Sequence, residues 1–280
     1  MKPAVFDIVR PATLVHALAL LGEHAQEAKV IAGGQTLVPV MNFRLAMPRL
    51  LIDLNTVGEL AGIRRDGDVL RIGAMTRQCE LLRDPLVAAH APLLARAVPH
   101  IGHVQTRSRG TVGGSLAHAD PAAELPLVMV ALDASFTVRS RDSERILPAR
   151  GFFRDALSTE LADDELLTEI AIPVAPADVR CSFRELARRH GDFAMVAVAA
   201  QRSAGGVSVA VGGLEAVPRY CRKLVDAIGR GAFNRDRLPE LIRAELHDCV
   251  ALADLQASTE YRRHLAGVLM QDCLGEVLAS

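Results

Sequence analysis

The hydrophobic pattern changes period several times along the chain, and each change marks a predicted element. Pro11, Ala12 and Thr13 form a helix start, and "LVHALALLGEHAQE" behind them repeats its apolar residues at helical spacing. "AKVIAG" is an apolar run of strand length, closed by Gly33 and Gly34. "LVPVMNFRLAMP" follows as a short helix with Pro39 in its first turn, and "RLLIDLN" as a further strand. With one more strand ahead of the first helix, residues 1–56 read as a small α/β unit.

"AGIRRDGDVLRIGAMT" alternates apolar and polar residues around Asp66 and Gly67, which predicts a hairpin. "TRQCELLRDPLVAAHAPLLARAVPHI" is helical, with breaks at Pro85 and Pro92. The next stretch holds a second glycine loop, a helix opened by Asp120 and Pro121, and a strand. "ELLTEIAIPV" alternates again, and Pro173 and Pro176 set a boundary near 175. Residues 57–175 thus form a middle α+β unit. From 176 to 280 the character changes. "VRCSFRELARR", "DFAMVAVAAQRS" and "GGVSVAVGGLEAVP" read as strands, and two helical stretches follow near 220–230 and 236–252. A last helix, "STEYRRHLAGVLMQDCLGEVL", is capped by Ser258 or Thr259 ahead of Glu260. Strands followed by helices make this an α+β domain, and α+β is the fold class expected overall.

Composition narrows the function classes. Half of the 280 residues are hydrophobic, enough to build the core of one large domain or of two to three small ones. The net charge of −1 offers no electrostatic case for nucleic acid or an anionic membrane. Trp is absent and aromatics are 4% of the chain, so a base-stacking platform is not expected. No apolar run reaches the length of a transmembrane helix, and the N-terminus lacks a signal-peptide core. Cys79, Cys181, Cys221, Cys249 and Cys273 are too far apart for CxxC motifs. They fit reduced thiols of a cytoplasmic chain, with no metal site and no iron–sulfur cluster of its own.

Two glycine segments carry the candidate chemistry: Ala32-Gly33-Gly34-Gln35-Thr36 and Thr111-Val112-Gly113-Gly114-Ser115. Glycine permits positive φ and close backbone approach. Successive amides in such a loop make a concave anion site, and a hydroxyl adds a donor. Two such loops can clamp a diphosphate. The other reading is a pair of plain turns, as Gly205-Gly206 and Gly212-Gly213 suggest elsewhere. Neither segment fits the Rossmann or Walker fingerprint. The start of the helix after the first loop would add a favourable dipole toward a phosphate.

"AGGQTLVPVMNFRLAMPRLLIDL", "TVGGSLAHADPAAELP", "RHGDFAMVAVAA" and "STEYRRHLAGVLM" together closely resemble the FAD-binding medium subunit of molybdenum hydroxylases. That family includes the medium subunit of carbon monoxide dehydrogenase and the flavin segment of xanthine dehydrogenase. The resemblance covers nearly the whole chain, with the four stretches in the expected order and spacing. The resemblance implies a two-part FAD-binding region of the vanillyl-alcohol-oxidase (PCMH) type, residues 1–56 and 57–175. It also implies a C-terminal domain of the CO dehydrogenase flavoprotein type, 176–280.

The resemblance assigns the FAD diphosphate to Ala32, Gly33, Gly34, Gln35, Thr36 and Leu37, and to Thr111, Gly113, Gly114 and Ser115. Asp120 matches an acidic residue near the adenosine, and it also reads as a helix cap before Pro121. Ile101 stands where some relatives place an aromatic against adenine. Leu161 matches an apolar residue near the flavin, or is ordinary core. Asp192 and Phe193 match the stretch beside the isoalloxazine ring, or form a turn followed by a core Phe. Arg184 replaces a lysine of many relatives, either near the flavin N1–C2=O edge or on an exposed strand. His100, His103 and His118 flank the second segment without ligand-spaced partners, so they read as hydrogen-bonding or solvent histidines. His118 and Asp120 are candidates to shape the pocket. The implied function is electron transfer from the [2Fe-2S] clusters of a small subunit to FAD and on to an external acceptor. A large subunit would hold the molybdopterin cofactor, in a doubled heterotrimer, and no catalytic acid or base is asked of this chain. The rivals are a self-contained FAD oxidase of the vanillyl-alcohol-oxidase fold and a scaffold that has lost FAD.

Overall fold

The computed structural model describes residues 2–232 and 235–279. The N-terminal unit is a three-stranded parallel sheet of β1 (Asp7–Val9), β2 (Ala28–Ile31) and β3 (Leu50–Asp53), in the order β1-β3-β2. The connection from β1 to β2 is α1 (Leu14–His24), whose cap is Thr13, accepting from His16 N at 3.3 Å. Leu14, Ala17, Leu18 and Leu21 give α1 its buried stripe against Ile52 and Leu54. The crossover from β2 to β3 runs through the first glycine segment and α2 (Leu37–Asn42). At six residues α2 is shorter than the apolar run, because Phe43, Leu45 and Met47 stay exposed and have no core to bury against.

The middle unit is an antiparallel five-stranded sheet of β4 (Ile63–Asp66), β5 (Val69–Gly73), β6 (Ser135–Arg139), β7 (Glu144–Pro148) and β10 (Leu166–Pro173), in the order β4-β5-β10-β6-β7. The expected hairpin at Asp66 and Gly67 is β4–β5, with Gly67 at φ 59°. Strands β8 (Phe153–Asp155) and β9 (Ser158–Thr159) form a separate ribbon. The single broken helix read over 76–101 is three short ones: α3 (Gln78–Leu81), α4 (Pro85–His90) and α5 (Pro92–Ala97). Pro85 and Pro92 open helices, and Asp84 caps α4 by accepting from Leu86 N at 2.8 Å. Helix α6 (Val104–Arg109) comes next.

Two sequence expectations are corrected here. Gly113, Gly114 and Ser115 do not form a loop; they lie in the first turns of α7 (Val112–His118), capped by Thr111, whose hydroxyl accepts from Gly114 N at 3.1 Å. Asp120 does not cap the next helix. It accepts from Ala122 N at 2.9 Å in a turn of its own, and α8 (Glu124–Ala131) begins four residues later. All eight residues of α8 are buried, because the helix packs between α5 and the next sheet.

That sheet holds β11 (Arg180–Ala187), β12 (Ala194–Ser203), β13 (Gly206–Gly212) and β14 (Arg219–Tyr220) in sequence order, all antiparallel. Strand β12 shows the pleat directly. Ala197 and Ala199 face the core shared with the middle unit, while Val196, Val198 and Ala200 face the C-terminal helices. These are α9 (Arg222–Ala227), α10 (Leu238–Leu246) and α11 (Thr259–Val277). Of the two caps expected for α11, Ser258 is the one used, accepting from Tyr261 N at 3.2 Å.

Candidate functional site

A cavity of about 740 Å³ lies between the N-terminal and middle units, with the tip of the β11–β12 hairpin forming part of its wall. Ala32, Gly33, Gly34, Gln35, Thr36 and Leu37 line one side. Strand β2 delivers this segment and Gly34 turns it at φ 70° into α2. Among the described residues, the amides of Gly33, Gly34, Gln35 and Thr36 donate to no group of the chain. Successive free amides on a cavity wall are what an anion needs.

Thr111, Gly113, Gly114 and Ser115 line the facing side. Their amides are already used: Gly113 N donates to Ala74 O at 2.8 Å, Gly114 N to the Thr111 hydroxyl, and Ser115 N to Thr111 O at 3.2 Å. The glycines serve close approach instead. A Cβ on Gly113 would lie 2.5 Å from Ala74 Cβ, and one on Gly33 would overlap the Arg109 carbonyl and stand 2.9 Å from Gly110 Cα. The first segment therefore packs backbone to backbone on Arg109 and Gly110, the residues that lead into the second, and the second packs on Ala74. The second supplies a flat, side-chain-free wall and the Ser115 hydroxyl.

Ile101, Asp120, Leu161, Asp192 and Phe193 also line the cavity, as does His118. Gly191, at φ 85°, lets the hairpin tip lie on the His103 ring, where a Cβ would fall 2.6 Å from Nδ1. Phe193 beyond it is 61% exposed, which makes it a mouth residue and removes the reading as a core Phe. Arg184 is the exception. It lies off the cavity and meets Glu276 of α11 at 3.5 Å. The pleat is the reason: Phe183 and Glu185 face the middle unit, so Arg184 faces α11. His100 is also off the cavity, with Nδ1 at 3.3 Å from Glu185; that hydrogen bond raises its pKa.

Two cavity residues escape sequence reasoning. Glu124 heads the apolar helix α8, is 6% exposed and has its pKa pushed up to about 7 by burial. Glu185 and Asp120 add to the rise, and the Glu124 backbone amide and His100 oppose it. A charge at the head of a wholly apolar run was the available signal. Gln78 is 4% exposed, lines the cavity, and keeps Oε1 buried without a partner. Among the described residues, no group of three or more His, Cys, Asp or Glu could hold a metal.

The comparisons agree with this geometry. The profile of the FAD binding domain in molybdopterin dehydrogenase matches residues 4–175, and that of the CO dehydrogenase flavoprotein C-terminal domain matches 181–277. The chain is 33% identical to the carbon monoxide dehydrogenase medium chain of Hydrogenophaga pseudoflava, over 100% of this chain and 99% of that one. It is 40% identical to caffeine dehydrogenase subunit beta of Pseudomonas sp. strain CBB1, over 82% of this chain and 75% of the other. The solved quinoline 2-oxidoreductase of Pseudomonas putida 86 superposes with a TM-score of 0.92 at 32% identity, covering 99% of each chain. A structure of Hydrogenophaga pseudoflava carbon monoxide dehydrogenase gives 0.94 at 32% identity, again over 99% of each. The chain belongs to the FAD-binding medium subunits of the molybdenum hydroxylase family, of the carbon monoxide dehydrogenase type. It is an FAD-dependent oxidoreductase subunit, and no helix among the described residues is long and apolar enough to cross a membrane.

Proposed function

We propose that this chain is the electron-transfer module of a cytoplasmic molybdenum hydroxylase, working between a small [2Fe-2S] subunit and an external acceptor. A large molybdopterin subunit completes a heterotrimer that is doubled. The three units read from the sequence, 1–56, 57–175 and 176–280, divide the work: the first two hold FAD and the third covers the redox end. The observation that carries the reading is the row of amides at Gly33, Gly34, Gln35 and Thr36 without a partner among the described residues, on a cavity that Gly113 and Gly114 of α7 also line. A dinucleotide fits there, since its diphosphate meets donors on one side and glycine on the other.

FAD, when bound, accepts electrons one at a time or in pairs and returns them to the acceptor. The residues of the chain bind and orient it. The amides of residues 33–36 and the Ser115 hydroxyl would hold the diphosphate, with Thr111 holding the helix start in shape. Ile101 and Asp120 form the adenosine end, and Leu161, Asp192 and Phe193 the flavin end. Phe193 at the mouth would shield the flavin end from water. The names of the relatives span carbon monoxide, caffeine and quinoline. One fold across such different substrates suits a subunit that handles electrons and leaves substrate choice to its partners.

The test is to purify the chain with FAD and offer it organic substrates alone and in complex. The expected result is a flavin spectrum at one FAD per chain, no substrate oxidation by the chain alone, and co-purification with a molybdenum subunit and an iron–sulfur subunit. Substrate turnover by the isolated chain would identify a self-contained flavin oxidase instead.

A further inference from the structure

We propose that Gln78 is a ligand of the cofactor's diphosphate, its carboxamide NH₂ donating to a phosphate oxygen. The inference rests on the reading of the cavity as the FAD site. Gln78 opens α3, is 4% exposed, and lines the cavity. Its Oε1 is buried and accepts no hydrogen bond. That oxygen is packed on Gly110, where a Cβ would stand 2.5 Å from Oε1 and 2.9 Å from Cδ. Nε2 is not among the buried atoms without a partner, so with the oxygen sealed on that side it is the polar atom left open on this cavity-lining residue.

The backbone fixes this placement. Gln78 N donates to Gly110 O at 2.9 Å, and Gly110 lies directly against Gly33. The carboxamide therefore sits at the junction of the two glycine segments, where the diphosphate lies in the FAD reading. The chemistry selects the ligand. An NH₂ facing a cavity suits an anionic acceptor, and a bond to a charged oxygen is roughly twice as strong as a neutral one.

Energetics point the same way. A buried carbonyl oxygen without a donor destabilises the fold. A methionine at this site would have the same length and no such cost. A polar residue that lowers stability at a cavity wall is accounted for by what it binds. The other buried side-chain atoms without partners among the described residues, on Arg107, Glu185, Gln201 and Arg262, lie off the cavity wall.

The test compares the full-length chain with Gln78→Met and Gln78→Glu, using FAD and ADP as probes in calorimetric titrations and melting the cofactor-free protein. The expected result for Gln78→Met is a roughly ten- to hundredfold weaker Kd for both probes, the range of one bond to a charged group. Its cofactor-free melting temperature should be equal to the parent's or higher. Gln78→Glu should bind still more weakly, because a carboxylate repels the diphosphate. A Gln78→Met protein with parental FAD affinity overturns the proposal and assigns the acceptor to an ordinary buried water. Parallel loss of affinity and melting temperature in Gln78→Met overturns it too, as a packing role. If the parent binds neither FAD nor ADP, the FAD reading itself fails, and this proposal with it.

Discussion

Asn55 and Arg77 bridge the seam between the two glycine segments. Arg77 donates to Asn55 Oδ1 at 2.5 Å and, through its other terminal nitrogen, to the Arg109 carbonyl, while Asn55 Nδ2 donates to Ala32 O at 3.0 Å. Asn55 is itself held by Asp53 at 2.5 Å, and Asp53 by Arg10 at 3.0 Å. Burial alone would raise the Asp53 pKa; the bonds from Asn55 and Arg10 outweigh it and hold the carboxyl below its usual range. This chain of contacts ties the first unit's loop to the entry of α7, so in the proposed FAD site it would set the gap for the diphosphate.

Arg77→Ala should therefore weaken FAD binding more than it weakens the fold. The bridge is largely exposed, so its loss should cost stability about 1 kcal/mol or less. FAD affinity should fall roughly three- to tenfold, the equivalent of about one such bond. Calorimetric titration beside thermal melting separates the two effects. Unchanged affinity would mean that the segments hold their spacing without the bridge.

The glycines give a sharper contrast. Gly33→Ala puts a methyl onto the Arg109 carbonyl, a backbone atom with no rotamer to escape into. Overpacking of this kind costs about 1–3 kcal/mol and would part the two segments, so FAD should be lost on gel filtration. Gly34→Val adds a β-branched residue at φ 70°, a conformation that costs such residues about 1–3 kcal/mol. Gly22→Ala in α1 is the control: open space surrounds that position, and the change should stabilise the fold by about 1 kcal/mol without touching FAD binding. Retained flavin in a folded Gly33→Ala protein would refute the close-contact account.

Much of the fold was legible because its signals are local. Thr13 and Ser258 cap helices, and Asp66-Gly67 turns a hairpin, through chemistry confined to a few residues. The site was partly legible through the two glycine pairs and the family resemblance. What the sequence hid depends on distant partners. Gly113 looked like a loop residue because the reason for a glycine there is Ala74, some forty residues away in the chain. Arg184 read equally as a flavin-side cation or as a cation on an exposed strand, because only the strand pairing reveals which face of β11 it occupies. Gln78 carries no motif, and Glu124 only a charge at the head of an apolar run; burial beside a cavity is what distinguishes them.

Arg184 supplies a prediction from its corrected place. Its side chain is 46% exposed and meets Glu276, which also accepts from Ser182 Oγ at 2.6 Å and pairs with Arg96 at 3.0 Å. Arg184→Gln should leave both the flavin reduction potential and FAD affinity at the parental value. It should alter stability by less than about 1 kcal/mol, as expected for a half-exposed ion pair. A spectroelectrochemical titration decides the matter, since a cation beside the reduced flavin would lower the potential when removed.

Glu124 makes the stability of the cofactor-free protein depend on pH. Its carboxyl titrates near 7 in the fold against a usual value of 4.5, so the folded state holds a proton that the unfolded chain has lost over that window. Stability should fall as pH rises from about 4.5 to about 7 and level off above, by up to about 3 kcal/mol. His100, bonded to Glu185, adds to the trend: its raised pKa contributes stability at low pH that is lost as pH rises through the folded value. Glu124→Gln keeps the shape and cannot ionise. Its melting temperature should exceed the parent's at pH 8 and converge with it near pH 4.5, with a residual slope belonging to His100. Parallel melting curves for parent and variant across that range would show that Glu124 is ionised in the fold, and that His100 or water has paid for its burial.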